Sequence, residues 1–220
     1  MIRFFDVLFS SIAIVVLFPF MIPVMIILKL TGEHDIFYKQ QRVGMGEKEF
    51  DLIKFATMLR DSPNLPGGLY TSKNDPRMLP MGKFLRKTKI NELPQLINIL
   101  KGDMSVIGYR PQVRVQYDYF PAEDRAVMRT DRPGLSGMGA IVFRSEEDLL
   151  QGIEDHERFY EKVISPYKAK LECWYINNKS LGNYFRLIWL TVKTVLKPDD
   201  RSWKKLKNLP EMPEELKGLM

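Results

Sequence analysis

Between Arg86 and Pro111 the chain reads RKTKINELPQLINILKGDMSVIGYRP, a stretch dense in groups that handle anions. Arg86 and Lys89 stand ahead of a polar doublet, Asn91 and Glu92, and Pro94 follows where the first turn of a helix tolerates a missing N–H. Ile90, Leu93, Leu96, Ile97 and Leu100 recur at helical spacing, with Asn91, Gln95 and Asn98 as an opposing polar stripe. The pattern predicts a helix with Asn91 as its N-cap. Its positive end would lie beside Arg86 and Lys89, a ready place to hold phosphate. Gly102 and Asp103 then make a turn, Met104 to Ile107 a short strand, and Gly108 to Pro111 a second turn from which Arg110 emerges. In RTDRPGLSGMGA, Arg129 and Arg132 sit beside Pro133 and Gly134 and could steer an anion, although solvation is the ordinary fate of surface arginines.

These groups need elements to place them. The runs IFYKQQRV and KEFDLIKFAT, rich in aromatic and β-branched residues and separated around Gly44 and Gly46, predict a β-hairpin. It would carry Arg42 near the end of its first strand and Lys54 on its second. The Pro, Gly and Asn rich stretch DSPNLPGGLYTSKNDPRMLP reads as loop and as a candidate lid, with a turn at Asn74-Asp75-Pro76-Arg77. Met81 to Lys89 predicts a helix whose Lys83, Arg86, Lys87 and Lys89 repel one another unless an anionic partner answers them. A solvated basic face is the plainer reading of the same pattern.

Val7 to Leu28 runs without a charge for roughly 22 residues, long enough to cross a hydrocarbon core, and continues into Lys29 without a small-residue cleavage site. Pro19 and Pro23 lie inside it, and cations flank both ends, so a kinked crossing helix and a helix that dips in and returns are both open. At 220 residues with a net charge of +6, the chain suits one domain with attachments and favours an anionic partner. Lone Cys173, between Leu171 and Trp174, suggests a small core residue in a reducing compartment. His156 lies among Glu154, Asp155 and Glu157, consecutive residues that do not converge on a metal, and reads as a solvated helix face. LGNYFRLIWLTVKTVLK suits a helix in the membrane interface or one in the core, and the charged stretch from Pro198 is expected to be peripheral. No Walker loop, GxGxxG, nucleophile elbow or CxxC pair occurs, and the charge does not follow a nucleic-acid recognition motif.

The chain resembles the bacterial sugar transferases, the monotopic phosphoglycosyl transferases that start polysaccharide and glycoconjugate assembly on polyprenyl phosphate. The resemblance rests on Arg3 with Asp6, YKQQRVG from Tyr38, KFATM from Lys54, NDPR from Asn74, ELPQLINILKGDMSVIGYRP from Glu92, RPGLSG from Arg132 and YINNKSL from Tyr175. It implies an α+β fold: a re-entrant N-terminal membrane helix over residues 1–30 broken near Pro19, a catalytic domain over 31–197 with interfacial amphipathic helices and a small antiparallel hairpin, and a charged tail over 198–220. It implies a site of Lys54, Arg86, Asn91, Glu92, Arg110 and Arg132 at the cytoplasmic face of the bacterial inner membrane. Mg²⁺, held at Asn91 and Glu92, a UDP-sugar, undecaprenyl phosphate and membrane lipids are the implied partners, and nucleic acid is not one. In the implied chemistry an aspartate attacks the β-phosphate, UMP leaves, and the lipid phosphate collects the sugar phosphate. Departures from the family pattern include Asn91 at the nucleophile position, Tyr109 within the GPRP motif, Ala56 after Lys54-Phe55, Phe18 before Pro19, and MGAIVFR after the PGxxG loop. Asn91 leaves three readings open: Glu92 takes over as nucleophile or base, the chain is an engineered Asp→Asn form, or it binds substrate without turnover.

Overall fold

The computed structural model describes residues 1–66, 68, 75–144, 153 and 155–217, and of His156 the backbone alone. The chain divides into two compact units, one formed by Met1–Phe4, Arg42–Phe50 and Gly102–Met220, the other by Phe5–Gln41 and Asp51–Lys101.

Most of the second unit's apolar surface lies on helix α1 (Ile2–Leu30). Helical structure runs on through Pro19 and Pro23, each of which deprives a carbonyl four residues back of its donor. Asp6, Ser10, Met21 and Leu28 are buried at spacings close to multiples of 3.6, so one stripe along α1 is covered. Its other faces expose Phe4, Val15, Val16, Phe18, Phe20 and Leu30. Met21 and Leu28 share a core with Phe55 and Leu85, against which Ile36, Met81, Ile90 and Leu93 pack.

The hairpin forms as expected, from antiparallel strands β1 (Phe37–Val43) and β2 (Glu49–Phe55). Gly46 supplies a positive φ in the connection, which is where a residue without Cβ is needed. Asn98, on helix α3 (Gln95–Lys101), grips β2 as a strand partner would: Ile53 N–H donates to its Oδ1 at 3.0 Å and its Nδ2 donates to Asp51 O at 2.7 Å.

Helix α2 (Gly82–Lys87) is shorter than expected because Lys89 takes a left-handed φ of 61° and turns the chain into a 3₁₀ segment, Ile90–Glu92. Asn91 is therefore not an N-cap. It sits within the 3₁₀ turn, and α3 begins only after Pro94, with Leu96 N–H bonded to Leu93 O and Ile97 N–H to Pro94 O. Asn91, Gln95 and Asn98 are buried, whereas Ile97 and Leu100 of the apolar stripe are partly exposed, as is Phe84 on α2. Asn98 of the polar stripe bonds backbone groups inside, while the apolar stripe is split: Leu96 is buried, Ile90 and Leu93 pack against the core, and Ile97 and Leu100 are left outward.

In the first unit, β3 (Ser105–Ile107) pairs in parallel with β4 (Gly134–Ser136), a partnership not anticipated from the loop chemistry around Arg132. Around this pair lie α4 (Arg114–Asp118), α5 (Ala122–Met128), α6 (Met138–Val142), α7 (His156–Phe159), a π-helical turn (Tyr160–Ile164), α8 (Ser165–Asn177) and α9 (Leu181–Leu196). Cys173 is a core residue, packed with Val43, Tyr109, Tyr117, Phe120, Met128 and Ala169. Helix α9 is two-sided: Tyr184, Leu187 and Leu190 are buried, as the core reading expects, while Phe185, Trp189, Val192 and Val195 are exposed along its other side. The segment after Pro198 is not peripheral. Trp203, Leu206 and, on α10 (Glu214–Lys217), Leu216 are buried, and Trp174 Nε1 donates to Lys207 O at 3.1 Å. Its apolar residues, interspersed among the charges, dock it.

Candidate functional site

Four of the sequence-predicted site residues belong to the second unit, and each adjoins a residue packed in or against a single core. Lys54 precedes Phe55, Arg86 follows Leu85, Asn91 follows Ile90 and Glu92 precedes Leu93. Burying those apolar neighbours in one core brings β2, α2 and the 3₁₀ turn, which carry the polar four, together. Arg86 is oriented by its surroundings: Nε donates to Thr57 Oγ1 at 3.2 Å, and Nη2 lies 3.1 Å from Met58 Sδ. Lys54 and Glu92 are half-buried. Asn91 is 7% exposed, and its Oδ1 has no hydrogen-bond donor among the described residues; Gln95 Nε2, four residues on, is buried and likewise without an acceptor among them. A buried polar atom left unmade costs about 1–3 kcal/mol, so its persistence at a motif position suits an oxygen kept for a ligand.

The candidate lid is described only in part, since residues 67 and 69–74, with Asn74, lie outside the described residues. The Asp75–Arg77 part of the NDPR motif is structural. Arg77 is buried, pairs with Asp75 at 2.6 Å and donates through Nη1 to Ser62 O and Gly68 O, each at 2.8 Å. His156 is likewise undescribed in its side chain, and among the described residues no group of three His, Cys, Asp or Glu is placed to hold a metal ion.

Arg110 and Arg132 belong to the first unit, where the structure brings their backbones side by side. Ser105 N–H donates to Pro133 O, Gly134 N–H to Tyr109 O and Gly108 N–H to Ser136 O, so the segment ending in Arg110 folds around the one that begins at Arg132. The approach requires glycine: a Cβ on Gly134 would lie 2.1 Å from Gly108 N, and one on Gly108 would lie 2.4 Å from Arg132 O. Arg132 is partly committed, its Nε donating to Gly102 O at 2.8 Å and its backbone N–H to Asp131 Oδ1, a carboxylate also paired with Lys179. Arg42 donates through Nη1 to Pro111 O at 3.2 Å, bracing the turn that carries Arg110.

Glu172 on α8 was not singled out by the sequence. It is 3% exposed, and its Oε1 accepts the Arg110 backbone N–H at 3.2 Å. Burial raises its carboxyl from the ordinary 4.5 to about 7, against the pull of N–H groups from Arg110 and Gly139 and of the charges on Lys168 and Arg110. The available signal was an acid in the otherwise apolar and aromatic run LECWYI. Tyr109, standing in the GPRP motif, is wholly buried, and desolvation raises its phenol far above the ordinary range.

The chain belongs to the bacterial sugar transferase family, which it matches over residues 1–198. It is 34% identical over 196 residues to the UDP-N-acetylgalactosamine-undecaprenyl-phosphate N-acetylgalactosaminephosphotransferase of Aeromonas hydrophila, covering 88% of the chain and 43% of that protein. It is 31% identical over 211 residues to the undecaprenyl-phosphate galactose phosphotransferase of Salmonella typhimurium, covering 90% of the chain and 40% of that protein. With the exopolysaccharide production protein PSS of Rhizobium leguminosarum bv. phaseoli it shares 42% identity over 206 residues, 88% of the chain and 94% of that protein. The chain thus spans less than half the length of the first two relatives and nearly all of the third.

Proposed function

We propose that the chain transfers a sugar 1-phosphate from a UDP-sugar to undecaprenyl phosphate at the cytoplasmic face of a bacterial inner membrane. The observation that carries this reading is the match to the sugar transferase family over residues 1–198, with Lys54, Arg86, Asn91 and Glu92 on elements that share one core. Fixed cations beside a carboxylate suit phosphoryl transfer, in which the protein chiefly positions and offsets charge. Overall, an oxygen of the lipid phosphate becomes bonded to the phosphorus that carries the sugar, and UMP departs from that phosphorus.

Asn91 changes how this balance is met. The carboxamide nitrogen is delocalised into its carbonyl and makes a poor nucleophile, so an aspartyl intermediate is not open to this chain. Glu92 is the remaining carboxylate of the doublet and acts as nucleophile or as base for direct attack by the lipid phosphate. Asn91 Oδ1 and the Glu92 carboxylate offer the hard oxygen donors that Mg²⁺ takes together with substrate phosphates and water. When bound there, Mg²⁺ offsets phosphate charge.

The buried stripe on α1 supports a re-entrant or surface-lying helix. Asp6 and Leu28 are both covered although they lie about 33 Å apart along a helix axis, a full hydrocarbon thickness. A straight crossing would leave one of them remote from any cytosolic domain. The exposed apolar sides of α1 and α9 then face lipid.

Incubation of the chain with undecaprenyl phosphate and a panel headed by UDP-N-acetylgalactosamine and UDP-galactose, read by UMP release, tests the proposal. Release by the unaltered chain is expected. No release, with recovery in Asn91→Asp, supports the other reading that Asn91 favours: a membrane-bound homologue that binds the nucleotide sugar or lipid phosphate without turning it over. A phosphosugar adduct mapped to Glu92 by mass spectrometry separates covalent from direct transfer.

A further inference from the structure

We infer that Glu172 is a positioning residue, whose carboxylate fixes the backbone that presents Arg110 to a substrate phosphate; the second half of that statement rests on the transferase reading above. The residue lies on α8 among Leu171, Cys173, Trp174 and Tyr175, all buried. An apolar side chain there would fill the space without desolvating a charge. The carboxylate instead meets two segments. Its Oε1 accepts the backbone N–H of Arg110 at 3.2 Å, and the Gly139 backbone N–H donates to the same carboxylate. The cradle around it exists because the facing residues are glycines: a Cβ on Gly139 would come within 2.6 Å of Oε1, and one on Gly137 within 2.9 Å of Oε2 and 2.0 Å of Gly108 O. Gly108, Arg110, Gly137 and Gly139 thus close around one carboxylate, which ties the GYRP turn to the start of α6.

Lys168, one helical turn before Glu172, is the charge that accompanies it. Its ammonium is buried over the rings of Phe143 and Tyr160, at 5.2 and 5.1 Å from their centroids. Aromatic faces lie against that amine, while the Arg110 and Gly139 backbone N–H groups donate to the Glu172 carboxylate. A group retained at a desolvation cost, and bonded to the amide of an arginine in the phosphate-handling motif, acts through that arginine and does not touch substrate itself.

The test uses the full chain in detergent with Glu172→Gln, Glu172→Leu and Glu172→Asp. Hydrogen exchange reads the Arg110 and Gly139 amides, and titration with UDP reads anion binding. Gln keeps an acceptor in place of Oε1 and is expected to retain both amides' protection and UDP affinity close to that of the native chain. Leu matches the bulk but has no acceptor; it is expected to lose about tenfold protection at those two amides, with about tenfold weaker UDP binding, while amides within α8 keep theirs. If Leu does not fold, Asp decides, because it keeps the charge and withdraws the acceptor by one methylene. Unchanged Arg110 protection in Leu or Asp overturns the inference, as does a uniform loss throughout the unit. If the native chain fails to bind UDP, the transferase reading fails, whereas the exchange result alone still decides whether Glu172 positions Arg110.

Discussion

Replacing Glu172 by Gln is expected to stabilise the protein at pH 8 and to leave it unchanged near pH 4.5. In the unfolded chain the carboxyl titrates near 4.5; in the folded chain burial holds it at about 7, opposed by the Arg110 and Gly139 N–H groups and by Lys168 and Arg110. Between those values the folded state carries a proton that the unfolded state has lost, so raising the pH through this window erodes stability, and the loss is complete above the folded value. Every tenfold difference in proton affinity between the two states is worth about 1.4 kcal/mol, which makes the full effect about 3 kcal/mol. Gln does not titrate and escapes this loss. Urea unfolding of both chains in the same detergent, at half-unit steps from pH 4.5 to 8.5, gives the difference directly. It is expected to open between pH 4.5 and 7 and then to level. A difference independent of pH, or one that closes as pH rises, refutes the reasoning, because either would mean that Glu172 is not held protonated by burial.

Asn98→Ala strips Ile53 N–H and Asp51 C=O of their partner and is expected to cost about 3 kcal/mol in urea unfolding, with weaker UDP binding because β2 carries Lys54. Arg77→Ala leaves the Asp75 carboxylate buried without its cation and is expected to lower stability by about 4 kcal/mol, seen as a lower thermal midpoint. In a Cys173→Ala background, Phe4→Cys and Lys39→Cys are both expected to react with a membrane-impermeant maleimide in inverted vesicles and neither in spheroplasts; labelling of one from each side would establish a crossing helix.

Much of the second unit was legible in the sequence because its signals are local. The alternation of IFYKQQRV and KEFDLIKFAT around Gly44 and Gly46 produces the observed hairpin, and the uncharged run from Val7 to Leu28 forms a long helix. Lys54, Arg86, Asn91 and Glu92 could be picked out by type and motif before any contact was known. What periodicity cannot say is which stripe turns inward. Ile97 and Leu100 are left partly exposed, yet Asn98 is buried because the backbone of β2 needs an acceptor and a donor there. Lys89 ends α2 by a left-handed turn that carries no glycine to announce it.

By itself the sequence determined the chemistry available to this protein: several cations and one carboxylate within a short stretch, a long uncharged apolar run, and an amide, Asn91, next to that carboxylate. Those are properties of side chains and of short-range spacing, and they survive without a fold. Tertiary structure alone decided that Arg110 and Arg132 share a backbone crossing at Gly108 and Gly134, that the charged C-terminal segment docks through Trp203, Leu206 and Leu216, and that Glu172 holds the Arg110 amide across 62 residues of chain. Each of these depends on contacts between segments far apart in sequence, and the free energy of such contacts comes from burial and hydrogen bonding that no single segment can express.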